Sequence, residues 1–380
     1  MKIIHLISSI DKGGAETHLY SLIKKQVEDN FEVSLIYLKG NDYWKKFYKK
    51  LGVKTYKLNY YSKFNLFNFF LTILKIKKII NTINPKIIHS HLSAMELAGA
   101  LIKLFSKQKF KYIVTKHLDS FFLEASFGRK KFLNGSIIDK FIINRAEKVI
   151  CISNQVRDHF QKIITDKNKL KKIYYGFNFN DYQFSKNYKL KIKLFKKKFK
   201  IKEKDFILCN IARHVHQKSL DVLIKVFSKY SKKNINSKLI LIGKGPETQN
   251  LKKLSNELNI QKKLIWISEY ENIRDIISIS NVFILTSKYE GLGLVLLEAM
   301  AEKKPILASK ISAIPEIVKN NYNGILVKHG DVKEFAKKIE IFENTKKSIK
   351  FGGNGFYFLK KNFNLDKMYG ETKKIYLSKK

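Results

Sequence analysis

Two glutamates, Glu290 and Glu298, flank the least polar stretch of the chain, which reads Gly-Leu-Gly-Leu-Val-Leu-Leu between them. From Leu292 to Ala301 every residue except Glu298 is apolar or glycine, which predicts a helix buried on all sides. An ionised carboxylate in such a helix needs a donor, because burying it unpaired is very costly. We therefore expect Glu298 to accept hydrogen bonds from the protein or a ligand. Glu290 lies on the preceding loop, where backbone N–H groups are free.

Two cations, Arg213 and Lys218, follow the strand-like run 206–211 and precede a helical pattern. Ligands of open α/β sheets bind at the carboxyl ends of strands, so both cations could converge on a diphosphate. Each cation about 4 Å from a phosphate is worth roughly 4 kcal/mol at an effective dielectric of about 20. The alternative is that they are two ordinary surface cations among the 75 lysines and arginines of the chain.

Glycine turns follow two strand-like runs, with Gly13 and Gly14 after the first strand and Gly243 and Gly245 in the second half. Backbone without a side chain can approach a phosphate or sugar closely, and a helix start favours negative charge. The first turn lacks the spacing of dinucleotide-binding motifs, so a purely structural turn remains the alternative.

Apolar strand-like runs alternate with helical patterns along the whole chain. The runs are 2–8, 33–38, 86–89, 111–115 and 148–152, then 206–211, 238–242, 282–286 and 305–308. This alternation predicts two α/β units with parallel sheets. We predict a first domain over 1–180, a second over 181–358, and a C-terminal helix over 359–380 that packs back on the first domain. The Lys-rich stretch after residue 188 is expected to be a solvated helix that opens the second domain.

Composition limits the partners. The 380 residues carry 75 basic and 32 acidic side chains, a net charge of +43, which favours an anionic nucleotide, nucleic acid or membrane surface. No signal peptide is apparent at Met1, and the two cysteines are far apart, so a cytoplasmic location is expected. The basic, Phe-rich segment 64–83 predicts an amphipathic surface helix that packs on a sheet or docks on an anionic membrane.

These motifs, in this order, resemble the retaining glycosyltransferases of family 4. The resemblance covers nearly the whole chain, and its most specific part is the pair Glu290 and Glu298 with the ending Glu-Ala-Met-Ala. It implies an α/β protein of the GT-B fold, with two Rossmann-like domains that face each other across a cleft.

The resemblance also implies residue roles. Arg213 and Lys218 would neutralise the diphosphate leaving group, and Glu298 would accept hydrogen bonds from the ribose hydroxyls. Glu290 would hold the donor sugar together with nearby backbone. His117 would hydrogen-bond the donor sugar from the first domain. The remaining donor-binding positions are glycine-rich turns and their neighbours: Gly13, Gly14, Gly243, Gly291, Leu292 and Gly293.

His89 and His91 match a motif often seen on the fourth strand of such first domains. Because alternate residues of a strand point the same way, one shared environment is expected for both rings. A metal site needs a third ligand, and none is apparent in the sequence, so no metal is predicted.

The chain departs from the family pattern in three places. Ser219 follows Lys218 where glycine is usual, Lys304 precedes Pro305 where glycine is usual, and the stretch 266–270 lacks the usual glycine. The last departure concerns the shape of the nucleobase pocket.

The resulting hypothesis is a retaining, metal-independent glycosyltransferase without a cofactor. It would move a sugar from a nucleotide-sugar, a UDP-sugar, to a lipid-linked or polysaccharide acceptor at the cytoplasmic face of the plasma membrane. The alternatives are a sugar-nucleotide hydrolase or epimerase of the same fold, and a basic nucleic-acid-binding protein. The latter is prompted by charge and aromatics but explains nothing about Glu298.

Overall fold

A computed structural model describes residues 1–60, 66–118, 135–270 and 272–378. The chain divides into a first unit, made of Met1–Gly176 and Leu365–Lys380, and a second unit, Phe177–Asn364. The first break therefore lies four residues before the predicted boundary at 180. The return to the first unit begins at Leu365 rather than at 359, because residues 359–362 complete a helix of the second unit that ends at Asn362.

The first unit contains one seven-stranded sheet in the order β3-β2-β1-β4-β5-β6-β7, with every pair parallel. The order reverses direction between β1 and β4, which is where doubly wound sheets bind ligands. Its strands are β1 (Lys2–Ser9), β2 (Glu32–Lys39), β3 (Lys54–Lys57), β4 (Ile87–His91), β5 (Lys111–Lys116), β6 (Lys148–Cys151) and β7 (Leu170–Lys172).

Helices connect these strands, as parallel pairing requires. They are α1 (Gly14–Glu28), α2 (Lys45–Lys50), α3 (Leu66–Ile83), α4 (Ser93–Phe105), α5 (Gly135–Arg145) and α6 (Asn154–Gln161). Among the described residues no helix combines the length and apolarity that crossing a membrane would require. The predicted surface helix 64–83 is α3, although residues 64 and 65 lie outside the described residues.

The last helix, α15 (Leu365–Leu377), packs on the sheet of the first unit. Its Met368, Tyr369, Ile375 and Tyr376 share one apolar cluster with sheet residues such as Ile3. Ile3 and His5 lie on the same face of β1, since side chains alternate along a strand. This face is therefore apolar near the amino end of the strand and polar further along.

The second unit contains a six-stranded parallel sheet in the order β10-β9-β8-β11-β12-β13. Its order reverses between β8 and β11. The strands are β8 (Phe206–Ile211), β9 (Ser237–Ile242), β10 (Leu264–Ile267), β11 (Val282–Leu285), β12 (Ile306–Ser309) and β13 (Gly324–Val327).

Eight helices belong to the described part of the second unit. They are α7 (Tyr188–Lys198), α8 (Leu220–Lys233), α9 (Thr248–Glu257), α10 (Ile273–Ile279), α11 (Leu294–Ala301), α12 (Ile314–Ile317), α13 (Val332–Ile339) and α14 (Thr345–Asn362). The Lys-rich α7 buries only Ile192 and Phe195, so its lysines lie toward solvent as expected.

Candidate functional site

An ion pair at the switch point of the second sheet joins Lys218 to Glu290. Lys218 Nζ lies 2.7 Å from Glu290 Oε1, and Ser287 Oγ donates to the same oxygen at 2.7 Å. Lys218 follows β8 and Glu290 follows β11, which are neighbouring strands. The Glu290 side chain is 7% exposed and that of Lys218 18%. Because an ammonium group has three donors, Lys218 can hold Glu290 and still donate to a ligand oxygen.

Arg213 lies at the carboxyl end of β8, two residues after Ile211, and its side chain is exposed. Within the described part of the chain its guanidinium forms neither an ion pair nor a hydrogen bond. The planar N–H groups of such a guanidinium can bind a phosphate or a carboxylate through two parallel hydrogen bonds.

The turn after β9 packs backbone against backbone. Gly243 has φ 134°, and a Cβ added there would lie 2.0 Å from the carbonyl oxygen of Ala212. A Cβ on Gly245 would lie 2.3 Å from the carbonyl oxygen of His214. The two glycines therefore allow the backbone after β9 to pack against the backbone on both sides of Arg213. This structural role is additional to the predicted role of the turn in binding the nucleotide-sugar.

The loop before α11 offers free donors. Gly293 caps the helix with φ 89°, a conformation that favours glycine, and Leu292 is buried. The N–H groups of Gly291, Leu292 and Gly293 donate no hydrogen bond to the described residues. Together with the first N–H groups of the helix, they form a cluster of hydrogen-bond donors that can bind sugar hydroxyls or an anion.

The prediction that α11 is buried on all sides is wrong. Leu296, Leu297, Ala299 and Met300 are buried, whereas Glu298 is only half-buried. Leu294, Val295 and Ala301 are also half-buried, and they share one side of the helix with Glu298 because they lie three or four positions from it. This side of the helix is therefore only partly covered. The Tyr182 hydroxyl approaches it and donates to the backbone carbonyl of Glu298 at 3.1 Å.

Two buried polar atoms beside β8 lack partners in the described structure. His214 Nδ1 lies 2.9 Å from Thr248 Oγ1, but His214 Nε2 is buried without a hydrogen bond. The Asn210 side-chain amide donates to the Ile284 carbonyl at 2.7 Å, while its Oδ1 is unpartnered. Burial and the nearby Lys252 lower the pKa of His214. Sequence reasoning missed both, although each is a polar residue on or just after an apolar strand.

In the first unit, Gly13 is the N-cap of α1 and Gly14 its first residue. A Cβ on Gly13 would lie 2.2 Å from Glu16 Oε2, and Glu16 Oε1 accepts from Ser9 Oγ at 2.9 Å. The glycine therefore makes room for a carboxylate that ties the end of β1 to α1.

His117 follows β5 and is buried, with both ring nitrogens bonded inside the protein. Its Nδ1 lies 2.6 Å from Tyr175 Oη, and its Nε2 lies 3.1 Å from His91 Nδ1. A hydrogen bond from His117 to a donor sugar, the role implied by the resemblance, would therefore have to replace one of these two contacts.

His89 and His91 do share one environment, with ring centroids 4.3 Å apart. The third imidazole that the sequence does not reveal is His5 on β1, whose nitrogen lies with theirs within 4.8 Å. Ring nitrogens of all three have polar partners: His5 contacts Gln26 and His91, while His89 contacts Tyr376 and Thr115. The cluster is thus satisfied as a hydrogen-bond network without an ion.

Burial keeps these rings neutral. It lowers the pKa of His5 to about 4 and holds the pKa of His89, His91 and His117 well below the usual 6.5. Neutral imidazoles carry one proton each, so each ring donates once and accepts once.

Sequence reasoning also missed His18, on the first turns of α1. It stacks on Tyr175 with ring centroids 4.3 Å apart and lies 5.9 Å from the ring of His117. Its Nδ1 is buried without a partner in the described residues, and burial lowers its pKa to about 3. The available signal was its position one turn after the Gly13-Gly14 loop.

A fully buried lysine, Lys116, contrasts with the half-buried Lys218. Lys116 Nζ lies 2.6 Å from Glu96 Oε2 and 2.6 Å from Asp139 Oδ1, and no side chain of this triad is more than 4% exposed. Burial alone would lower the pKa of Lys116, but the two carboxylates raise it above its usual value. The triad connects β5 to α4 and α5, which is a structural arrangement.

Two family models match successive parts of the chain. The model described as "Glycosyltransferase Family 4" matches residues 12–181, and that described as "Glycosyl transferases group 1" matches residues 191–355. These ranges fall largely in the first and second units.

Curated relatives match over most of their length. An uncharacterised glycosyltransferase of Methanocaldococcus jannaschii is 29% identical over 96% of this chain and 94% of its own. The capsular polysaccharide biosynthesis glycosyltransferase CapM of Staphylococcus aureus is 26% identical over 82% of this chain and 81% of its own.

Solved structures share the fold. The Anabaena protein HepE, crystallised in complex with UDP-glucose, superposes with a TM-score of 0.83. The match covers 99% of both chains at 19% identity, so it extends over both units.

Proposed function

Since the chain belongs to the glycosyltransferases of group 1 and family 4, with the GT-B fold, we propose that it uses a UDP-sugar and retains the anomeric configuration. The observation that carries this proposal is the Lys218–Glu290 pair beside free backbone N–H groups, at the switch point between β8 and β11. That place combines a cation for a diphosphate with donors and an acceptor for a sugar.

Lys218 and Arg213 would act on the leaving group. Negative charge develops on the diphosphate as the sugar departs, and fixed cations lower the barrier because they need no reorganisation. We propose that these side chains, rather than a metal ion or cofactor, offset that charge. The leaving phosphate oxygen would take the acceptor proton on the same face, which retains the configuration.

Glu290 and Glu298 would hold the donor. Ser287 and Lys218 both bond Glu290 Oε1, so the other oxygen can accept from a sugar hydroxyl. Glu298, on the half-buried side of α11, would accept from the ribose. A uridine donor is supported by HepE, whose solved complex contains UDP-glucose.

The acceptor is proposed to be a lipid-linked or polysaccharide substrate at the cytoplasmic membrane face. On α3 the side chains of Phe67, Phe70, Leu71 and Leu74 are exposed, by 66%, 56%, 39% and 45%. Their spacing of three or four residues places them along one stripe of the helix, which Lys75 and Lys78 continue with positive charge. An exposed apolar stripe beside lysines suits an anionic bilayer. The name of CapM supports a polysaccharide product.

Nucleotide binding tests the donor site. Calorimetry with UDP, GDP and ADP should show selective binding of UDP by the wild type, and loss of that binding in Arg213→Ala and Glu298→Ala. Lys225→Ala, an exposed lysine of α8, is the control and should bind like the wild type. A folded wild type that binds none of the three would overturn the donor proposal.

Product analysis tests the reaction. With a UDP-sugar and a lipid-linked acceptor, NMR should show the transferred sugar with the anomeric configuration of the donor. Free sugar alone would indicate a hydrolase, and an altered nucleotide-sugar would indicate an epimerase.

Liposome flotation tests the membrane surface. Recovery should rise with anionic lipid and fall when Phe67 and Phe70 are replaced by serine. Equal recovery with neutral and anionic vesicles would contradict the membrane proposal and leave the donor site untouched.

A further inference from the structure

The helix α7 has two apolar sides, and only one of them packs on the second unit. Ile192 and Phe195 are buried, whereas Leu190 and Leu194 are 56% and 57% exposed. Successive residues of a helix are about 100° apart, so the leucine pair lies roughly 150° around the axis from the buried pair. The two leucines therefore lie near the centre of the outward side of the helix.

Lysines surround the exposed leucines. The stretch 186–200 contains eight lysines and no acidic residue. Lys193 and Lys197 lie within about 60° of Leu190 around the helix axis, and both are exposed. Neither side chain forms an ion pair or a hydrogen bond with the described residues. We call the five exposed residues of this side the α7 surface: Lys189, Leu190, Lys193, Leu194 and Lys197.

The start of α7 is anchored on the second unit. The backbone N–H of Ser185 donates to Asp275 Oδ1 at 3.1 Å, and the Ser185 hydroxyl donates to the other oxygen of the same carboxylate. The ring of Tyr188, the first residue of the helix, stacks on that of Phe184 with centroids 4.2 Å apart. Asp275 belongs to α10, so these contacts tie the start of α7 to another helix. The α7 surface is thus presented to solvent by a helix that is packed on its other side.

We propose that the α7 surface docks on an anionic lipid bilayer, where Leu190 and Leu194 enter the headgroup region and the lysines contact lipid phosphates. A helix with apolar and basic residues on the same outward side is suited to this interface. Lysine stems are themselves apolar, so they can lie beside the leucines while their ammonium groups reach the phosphates. The contact goes beyond the proposed function, because it lies in the second unit and requires neither α3 nor the donor site.

A nucleic acid is the competing partner for so basic a surface. Its phosphates would attract the lysines equally well, but its backbone provides no apolar phase for Leu190 and Leu194. The stretch 186–200 also contains no arginine, the side chain that binds phosphates through two parallel hydrogen bonds. A bilayer accounts for the leucines as well as for the lysines, so the observations favour it.

Flotation of the whole chain with phosphatidylcholine vesicles, with and without phosphatidylglycerol, measures the contact. Each lysine near an anionic surface should strengthen binding about fivefold, so Lys193→Gln/Lys197→Gln should weaken binding to the phosphatidylglycerol vesicles about 25-fold. Leu190→Ser/Leu194→Ser should weaken it roughly tenfold, since two side chains lose their apolar contact. Wild-type binding in either double variant would overturn the proposal.

A second pair of lysines controls for net charge. Lys253→Gln/Lys333→Gln removes the same two charges from α9 and α13, where both side chains are exposed. This variant should bind the vesicles nearly as well as the wild type. A loss equal to that of Lys193→Gln/Lys197→Gln would contradict the proposal, because the vesicles would then respond to the charge of the whole protein.

A fluorescent probe at position 194 detects insertion without removing a lysine. Both cysteines of the chain, Cys151 and Cys209, are buried, so a maleimide dye attaches to the new thiol of Leu194→Cys. With phosphatidylglycerol vesicles its emission should shift to the blue and should be quenched by nitroxide-labelled lipid. The same dye on Lys253→Cys should remain in water. A dye at position 194 that also remains in water on vesicle-bound protein would refute the insertion of α7.

Binding of a duplex DNA oligonucleotide examines the competing partner. We expect weak binding that Leu190→Ser/Leu194→Ser does not change. Tight binding that is lost in Lys193→Gln/Lys197→Gln, combined with unchanged vesicle binding of that variant, would assign the α7 surface to nucleic acid and overturn the lipid contact.

The outcomes separate the inference from the proposed function. Phe67→Ser/Phe70→Ser, which tests α3, should leave the blue shift of the dye on Leu194→Cys in place at saturating vesicle concentration. Loss of the shift in that background would overturn the independent contact of α7. Unchanged flotation of the α7 variants, with intact UDP binding, would overturn this inference alone. Conversely, absence of UDP binding with the expected flotation would overturn the donor proposal and leave the α7 surface in place.

Discussion

The two units solve the placement of polar groups in opposite ways. In the second unit, charged groups lie at the rim of the sheet: Lys218 is 18% exposed and holds Glu290 while free N–H groups lie nearby. In the first unit, His5, His89 and His91 are fully buried and neutral, and they bond to each other and to hydroxyls. The first arrangement can act on a ligand through charge, whereas the second can act only through the direction of its protons.

The difference has a physical origin in desolvation. Lys218 keeps part of its contact with water and its charge is offset by Glu290, so the pair costs less than an unpaired buried charge would. Inside the first sheet a charged imidazolium would lose that hydration, and the rings lower their pKa instead. Conditions that force charge into the first unit should therefore break it first.

Acidification is the largest expected effect. The folded pKa values of the five buried histidines of the first unit, His5, His18, His89, His91 and His117, lie below 6.5, so the unfolded chain binds more protons than the folded one between those values and pH 6.5. The stabilisation is complete above pH 6.5 and is lost as the pH falls toward about 4. Each ring removes up to about 1.4 kcal/mol per pH unit from the free energy of unfolding. We expect the first unit to unfold before the second.

The two tryptophans of the chain allow this order to be measured, because Trp44 lies in the first unit and Trp266 in the second. Fluorescence of Trp266→Phe should report an acid transition at higher pH than that of Trp44→Phe. Coincident transitions in the two variants would show that the buried rings do not set the acid stability of the first unit.

Lys116→Met should have the next largest effect, and it compares a buried lysine with an exposed one. Removal of Lys116 leaves Glu96 and Asp139 buried without their cation, which should cost about 3–5 kcal/mol of unfolding free energy. Urea denaturation measures it. The control is Lys2→Met, whose pair with Glu32 at 4.0 Å is exposed and should contribute at most about 1 kcal/mol. Equal losses in the two variants would mean that the triad is not held as described.

Lys218→Ala should leave the fold largely intact and remove activity. The loss of one fixed group that stabilises developing charge lowers kcat by roughly 10²–10³-fold, or about 2.7–4 kcal/mol. Initial rates with a UDP-sugar measure this effect, and circular dichroism verifies folding. Lys225→Ala, whose exposed pair with Asp221 spans 4.0 Å, should keep wild-type rates. A variant of Lys218 with near wild-type kcat would assign the lysine to structure, like Lys116.

The contrast between the units also explains what could be predicted from sequence. The nine predicted strand-like runs all coincide with strands, and the four strands that were missed, β3, β7, β10 and β13, are the four sheet edges. Two of them, β3 (Lys-Thr-Tyr-Lys) and β7 (Leu-Lys-Lys), are rich in lysine and partly exposed, so they lack the continuous hydrophobic signal of central strands. The other two, β10 (Leu-Ile-Trp-Ile) and β13 (Gly-Ile-Leu-Val), are apolar runs of four residues, a length at which periodicity does not separate a strand from a short helix.

The same limit holds for the sites. Lys218, Glu290 and the glycine turns lie on loops directly after strands, so their approximate position follows from the order of strands alone. The hydrogen bonds around His5 and His89 join residues as far apart in sequence as Gln26 and Tyr376, which the packing of α15 on the first sheet brings to a donor–acceptor distance of 3.0 Å. No spacing along the sequence carries that information. The prediction that α11 is buried on all sides was wrong for a related reason. Composition shows how apolar a helix is, but it does not show which of its sides is covered.

Ser219→Gly tests the smallest effect, at the position where the chain departs from the family glycine. Ser219 adopts φ 45° and ψ 48°, a left-handed conformation that costs a side chain roughly 1–2 kcal/mol relative to glycine. Substitution by glycine removes this cost. Two effects oppose the gain: glycine is more flexible in the unfolded chain, and the variant loses the hydroxyl, whose oxygen lies 3.2 Å from His329 Nε2.

Ser312 provides a matched control, since it has φ 47° and its hydroxyl has no partner among the described residues. We expect Ser312→Gly to raise the unfolding free energy by about 0.5–1 kcal/mol and Ser219→Gly by less, because only Ser219 also loses a hydrogen bond worth about 0.5–1.5 kcal/mol. Thermal unfolding followed by Trp266 fluorescence measures both. A larger gain for Ser219→Gly would mean that the serine hydroxyl adds nothing to the folded second unit, and that the backbone next to Lys218 is held only by its neighbours.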